Sequence, residues 1–399
     1  MKINSFSLIL AVIAAVAWLC ACEPVAKIAE VADTITRDIP SAKDTLTSLL
    51  EVNNAMSEAM SRGETELTLN VAGIGEDELR AIGENMSTFW GKPTHYTVTN
   101  EYKDVDGIIP GRLTDVKTIT NIFELSYNYY VFDHIKNGKP IPGDVPRAGD
   151  IAAVLPAIAS EIFSDPLASD YEKTLAAHDW LVANLEYDVA TPSISDENGT
   201  YGAFILRRTM CQGYAEALEL LLKCYTDVEV VQIVGEALNT ALFRNADEAG
   251  ASPEDWRGHA WNAVNMLGDW YQIDTTFNDP LGNPTGRVSH FYFGQSDGVM
   301  LKNHRWVYDF FPSSYAGDFL FYRQSGLFAE DWDSFQSIVE ELLAEEPIDF
   351  FEVAVRNETV NEDNIQFIYK ALDNLDAIMW SEQVWNNIHV HSIELLFNP

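Results

Sequence analysis

From Cys211 onward the chain has few ways to fold. A helical run opens there, with Ala215, Leu218, Leu221 and Leu222 on its apolar side. Val228 to Val234 then reads as a strand. His259 to Met266 and Asp269 to Phe277 read as two more, joined by a tight Leu267-Gly268 turn. With Leu267 and Gly268 as the loop, Met266 faces Asp269 and Trp261 faces Asp274. His259 lies two residues further along on the same side. Diagonal neighbours on one face sit about 7–8 Å apart at their backbones, a gap that an imidazole and a carboxylate bridge with a hydrogen bond. A slip of one residue would put them on opposite faces and end the pairing.

These positions also carry chemistry. Cys211 stands in Thr209-Met210-Cys211-Gln212-Gly213-Tyr214-Ala215, where a loop becomes a helix. A thiol is nucleophilic only as thiolate, and both a neighbouring imidazole and a helix N-terminus favour that form. Cys211, His259 and Asp274 thus form a candidate nucleophile, base and orienting carboxylate. Each has a plainer reading: Cys211 a small buried hydrophobe, His259 a core histidine, Asp274 a strand-end cap. The three are also possible metal ligands, but no paired ligand motif lies nearby, and no metal is expected. The Cys211 N–H is one donor for a developing oxyanion. Gln212, Tyr187, Tyr201 and Trp261 are candidates for the second donor or for the cleft wall.

Cys211-Gln212-Gly213-Tyr214-Ala215, Gly258-His259-Ala260-Trp261-Asn262 and Trp270-Tyr271-Gln272-Ile273-Asp274-Thr275-Thr276 resemble the core motifs of the bacterial transglutaminase-like superfamily. Trp180-Leu181 followed by Tyr187-Asp188 resembles the family's preceding helix and its exit. The likeness runs over about residues 170–282 and extends toward Tyr292-Phe293 and His304-Arg305-Trp306. It implies an α+β fold with a papain-like core and a Cys-His-Asp triad, carried here by Cys211, His259 and Asp274. Phe277 stands where Trp is frequent in the family. Cross-linking enzymes, cysteine peptidases, amide hydrolases and inert relatives all belong to it.

The chain has 399 residues, with 25 Lys and Arg against 61 Asp and Glu, a net charge of −36. No basic run occurs, so nucleic acid is excluded as an expected partner. Lys2 and the apolar stretch Phe6 to Leu19 read as an export signal, too short to span a bilayer comfortably. Its end, Leu19-Cys20-Ala21-Cys22, resembles the bacterial lipoprotein signal. The resemblance implies cleavage after residue 21, lipidation at Cys22 and a mature chain held outside the cytoplasm on a membrane face. Cys211 and Cys224 remain. Thirteen residues of helix between them span roughly 20 Å, too far for a disulfide. Cys224 reads as a buried helix residue and Cys211 as a free thiol.

Residues 22–63 read as an amphipathic helical segment, a spacer or a loosely docked helix, broken at Pro40. Residues 64–144 read as a small α+β module: a strand at Glu66 to Val71, a helix at Glu76 to Trp90, and strands at Thr94 to Tyr102 and Thr118 to Phe132. Residues 145–326 form the transglutaminase-like unit, with helices at Gly149 to Phe163 and Ser169 to Leu185. Residues 327–399 repeat the outer order with a strand at Phe350 to Val355, a helix at Asn361 to Leu375 and strand-like residues from Val384 to Phe397. Two small βαβ-type modules therefore flank the centre. Gly73-Ile74-Gly75 lacks the third glycine of a dinucleotide loop and reads as a turn. His389 and His391 share a strand face and read as strand-surface residues.

The expected function is exported acyl transfer at a protein or peptide amide, through a thioester on Cys211 and without a cofactor. By family analogy alone calcium enters, without a loop motif for it. Hydrolysis and cross-linking both remain open. The alternative is a surface lipoprotein that keeps the fold and binds peptide or glycan without turnover.

Overall fold

The computed structural model describes residues 45–75, 77–79, 89–102, 116–189, 198–238, 252–279, 287–344, 348–358, 361, 365–372, 375–385 and 387–397. The export segment 1–21, Cys22 and most of the helix expected at 76–90 lie outside them. Among the described residues no helix is long and apolar enough to cross a membrane.

The chain first builds a four-stranded sheet. β1 (Thr45–Leu46) runs parallel to β2 (Glu66–Ala72), which pairs antiparallel with β4 (Val116–Leu125), which in turn pairs with β3 (Gly91–Tyr102). Between β1 and β2 lies α1 (Leu49–Ser61). Ser48 and Glu51 form a capping box at its start. Residues 45–61 were expected in a helical segment, a spacer or a loosely docked helix; Leu49–Ser61 is a helix, which buries Val52, Met56, Ala59 and Met60 in the main core, while β1 is a sheet strand. The expected strand through Phe132 also ends early, at Leu125. Ser126 leads into α2 (Tyr127–Asn137), which closes on Gly138 in the left-handed conformation. Tyr127 to Phe132 is rich in residues that suit strands, but Asn128 and Val131, three apart, share the buried side of a helix.

Two helices follow, α3 (Pro146–Ile162) and α4 (Asp170–Asn184), the second opened by the Ser169–Glu172 capping box. β5 (Glu186–Tyr187) pairs parallel with β6 (Arg208–Thr209), which delivers the chain to α5 (Cys211–Tyr225). Gly213 through Leu222 and Cys224 are all buried, so α5 is an interior helix. It packs on a five-stranded antiparallel sheet of order β10-β9-β8-β7-β11. These strands are β7 (Val230–Leu238), β8 (Trp256–Met266), β9 (Asp269–Ile273), β10 (Phe293–Gln295) and β11 (His304–Trp306). Leu267 and Gly268, at φ 56° and 87°, make the β8–β9 turn. Met266 pairs with Asp269 and Asn262 with Ile273.

The C-terminal sheet has the strand order β12-β13-β15-β14, the same sequence of pairings as the first sheet. β12 (Phe328–Ala329) is parallel to β13 (Phe350–Arg356), with α6 (Trp332–Ala344) between them. α7 (Gln366–Ala371) precedes the hairpin of β14 (Leu375–Trp385) and β15 (Ile388–Phe397). The strand-like stretch expected from Val384 to Phe397 is thus the turn and second arm of a hairpin, with Asn387 at φ 62°. His391 is fully buried, its ring edge-on to Phe335 of α6 at 5.8 Å. A period of two tells which residues share a face, but not which helix covers it.

Candidate active site

Cys211 is the first residue of α5, and β5 and β6 bring Tyr187 beside its entry strand. The start of the helix is pressed against the preceding loop. A Cβ on Gly213 would lie 1.9 Å from Thr209 Oγ1 and 2.7 Å from the carbonyls of Asn198 and Gly199. Gly213→Ala is therefore expected to cost about 1–3 kcal/mol through overpacking, read as a lower urea midpoint. An unchanged midpoint would mean that the loop gives way freely.

The expected strand through Phe277 stops at Ile273, because Asp274 turns the chain. The backbone carbonyl of Asp274 accepts the Asn278 N–H at 3.2 Å. Its Oδ1 accepts the Phe277 N–H at 3.0 Å. Its Oδ2 accepts His259 Nε2–H at 2.7 Å and His304 Nε2–H at 2.9 Å. The hairpin register thus brings His259 and Asp274 together across one face. His259 Nδ1 is left for Cys211, whose thiol lies close enough to the His259 ring and the Ala260 backbone for both to favour its charged form.

Charge balance follows from this geometry. Burial opposes ionisation of the Cys211 thiol, but the His259 charge and hydrogen bond outweigh it, so the thiol sits below its ordinary range. Burial would likewise lower His259, yet Asp274 and Cys211 raise it to about 10. Burial would raise Asp274, and the charge and donors of His259 with the donor of His304 hold it well below the carboxylate range. Thiolate and imidazolium titrate as one pair.

The remaining motif residues lock these elements to one another. Tyr214 OH donates to Asp279, Asn262 Nδ2 to the Ala215 carbonyl at 3.0 Å, and Trp261 Nε1 to Gln272 Oε1. The His259 ring lies between Trp261 at 5.8 Å and Phe277 at 4.7 Å. Trp261 is a wall, and its N–H is committed to Gln272, which removes it as an oxyanion donor. Gln212 Nε2 donates to buried Glu216 at 2.7 Å. Tyr201 packs its ring under the Arg147 guanidinium, 5.1 Å away. Burial and then the Cys211 charge push the Tyr187 hydroxyl up to about 12, so Tyr187 is the cleft candidate that feels Cys211.

His304 had no assigned role in the sequence. It lies 30 positions from Asp274, at no spacing that signals contact. Among the described residues, three groups bring ring nitrogens and carboxylate oxygens within 4.8 Å of one another: His178/Asp179/His290, His259/Asp274/His304 and Glu382/His389/His391. In the first two, both histidines donate to a single carboxylate oxygen, so hydrogen bonding accounts for the spacing. Glu382 accepts from His389 Nδ1 at 2.9 Å, which ties this pair down in the same way.

Several solved structures are similar to the chain. A candidate cysteine protease from Cytophaga hutchinsonii aligns with a TM-score of 0.24 and 13% identity, over 53% of this chain and 72% of that one. A TGase aligns with a TM-score of 0.25 and 12% identity, over 63% of each chain. The periplasmic domain of TgpA from Pseudomonas aeruginosa aligns with a TM-score of 0.21 and 16% identity, over 41% of this chain and 57% of that one. Among curated proteins, kyphoscoliosis peptidase of Mus musculus is 28% identical over 155 residues and that of Homo sapiens 27% over 154. Each match covers 36% of this chain, which spans only 22% of the length of these relatives. No family model matches the chain.

Proposed function

We propose that the protein is a cysteine-dependent acyl transferase or hydrolase acting on carboxamides of proteins or peptides. The observation that carries this reading is the relay from Asp274 through His259 to Cys211 at the start of a buried helix. The Cys211 thiolate attacks the amide carbonyl carbon, and the His259 imidazolium gives its proton to the departing ammonia or amine. A thioester remains on Sγ. Water or a lysine amine then attacks it, giving its proton back to His259 and releasing the thiolate. The papain-like transglutaminase core, with the two outer modules flanking it, is the architecture that goes with this chemistry. Export and lipidation at Cys22 complete the proposal and place the substrate outside the cytoplasm at the cell envelope.

Iodoacetamide alkylation followed over pH tests the relay. The wild-type rate is expected to reach its plateau below the ordinary thiol range of about 8.5. Turnover of dye-labelled casein, or incorporation of a fluorescent primary amine into it, is expected to fall on the alkaline side as His259 loses its proton near pH 10. His259→Ala should slow alkylation at pH 7 by about tenfold, since the thiol returns to a few per cent thiolate. Slow labelling with an ordinary thiol profile in both proteins would instead favour a binding module that keeps the fold without turnover.

A further inference from the structure

A carboxylate that orients an imidazole must itself be held by something other than that imidazole. At Asp274 the turn supplies one such hold, the Phe277 N–H on Oδ1. On Oδ2 the donor beside His259, among the described residues, is His304. We infer that His304 is a positioning residue, which fixes the Asp274 carboxylate plane and through it the His259 ring that serves Cys211. This rests on the relay proposed above and adds a fourth member to it.

Four observations support the assignment. His304 is fully buried, and so is Asp274, so the 2.9 Å contact between them is shielded from water. The ring is itself immobilised: Nδ1 meets Asn303 Oδ1 at 2.7 Å, and Asn303 Nδ2 donates to Tyr292 OH at 2.6 Å. Trp261 at 4.9 Å, Phe277 at 5.0 Å and Tyr292 at 5.7 Å enclose it. Finally, His304 opens β11, which lies on the far side of β7 from β8, so it ties Asp274 to a strand that carries no other member of the relay. Its chemistry suits the place. Burial lowers the basicity of His304, and the hydrogen bond and charge of Asp274 oppose that. A lysine or arginine there would cancel the Asp274 charge that holds His259 protonated.

Iodoacetamide alkylation over pH 4 to 9 separates the possibilities, with wild type, His304→Phe, His304→Gln and His259→Ala compared and thermal unfolding followed for each. His304→Phe is expected to move the acid limb up by about one pH unit, a loss of about tenfold on that limb. His304→Gln, whose Nε2–H reaches the same oxygen, should restore most of the wild-type profile. A role in stability alone would lower the unfolding temperature and leave the limb in place. Should His304→Phe fail to fold, Asn303→Ala releases the ring while keeping it, and a smaller upward move is expected. A wild-type profile in His304→Phe, or in Asn303→Ala where that variant stands in, overturns the inference. Failure of the relay itself would look different: wild type and His259→Ala would then share an ordinary thiol profile.

Discussion

Asp274→Asn is expected to reduce casein turnover by about a thousandfold or more while the protein stays folded. The carboxylate does two things at once. It fixes a proton on His259 Nε2, leaving Nδ1 for the thiol, and it holds the imidazolium protonated up to about pH 10. An amide in its place donates where the carboxylate accepts. The ring then carries its proton on Nδ1, toward Cys211, and is no longer a base for it. The Phe277 N–H keeps an acceptor in the Asn oxygen, so the turn survives. Steady-state turnover with urea unfolding in parallel checks this. Near-normal turnover in a folded Asp274→Asn protein would show that Asp274 is a strand-end cap and nothing more.

The second large effect is on stability. Trp261→Ala is expected to cost about 3–5 kcal/mol, because the indole is almost wholly buried. It stacks on His259, stands edge-on to Trp306 at 5.6 Å and donates to the buried Gln272 oxygen. Truncation leaves a cavity and an unpaired acceptor together. Trp261→Phe keeps much of the packing and should cost about 1–3 kcal/mol, mainly for the lost donor. Urea midpoints for both variants provide the measurement. A cost below 1 kcal/mol for Trp261→Ala would mean that the site wall is loosely packed.

Much of the site could be read before any coordinates. The Leu267-Gly268 turn sets the register, and the register alone puts His259 and Asp274 on one face. The position of Cys211 at a helix start follows from the apolar spacing behind it. The errors have a common source. Tyr127 to Phe132 satisfies strand preferences, yet packs as a helix because Asn128 finds Glu216 of α5 at 3.1 Å. Leu49 to Ser61 has a modest apolar stripe and reads as a helical spacer or a loosely docked helix until the main core that receives it is known. His391 alternates like a surface residue, and α6 covers it. In each case the deciding contact comes from a distant part of the chain.

What the sequence determined by itself is local: the turn, the helix starts, the pairing of neighbouring strands and, with them, the residues proposed here for acyl transfer. These are set by backbone preferences and side-chain periods within a dozen or so positions. The tertiary structure alone decided which side chains hold the reactive ones in place. His304 on Asp274 and Asn262 on the Ala215 carbonyl join residues that no spacing rule connects. Burial makes such contacts matter, because a polar group withdrawn from water must find its partner wherever the fold supplies one.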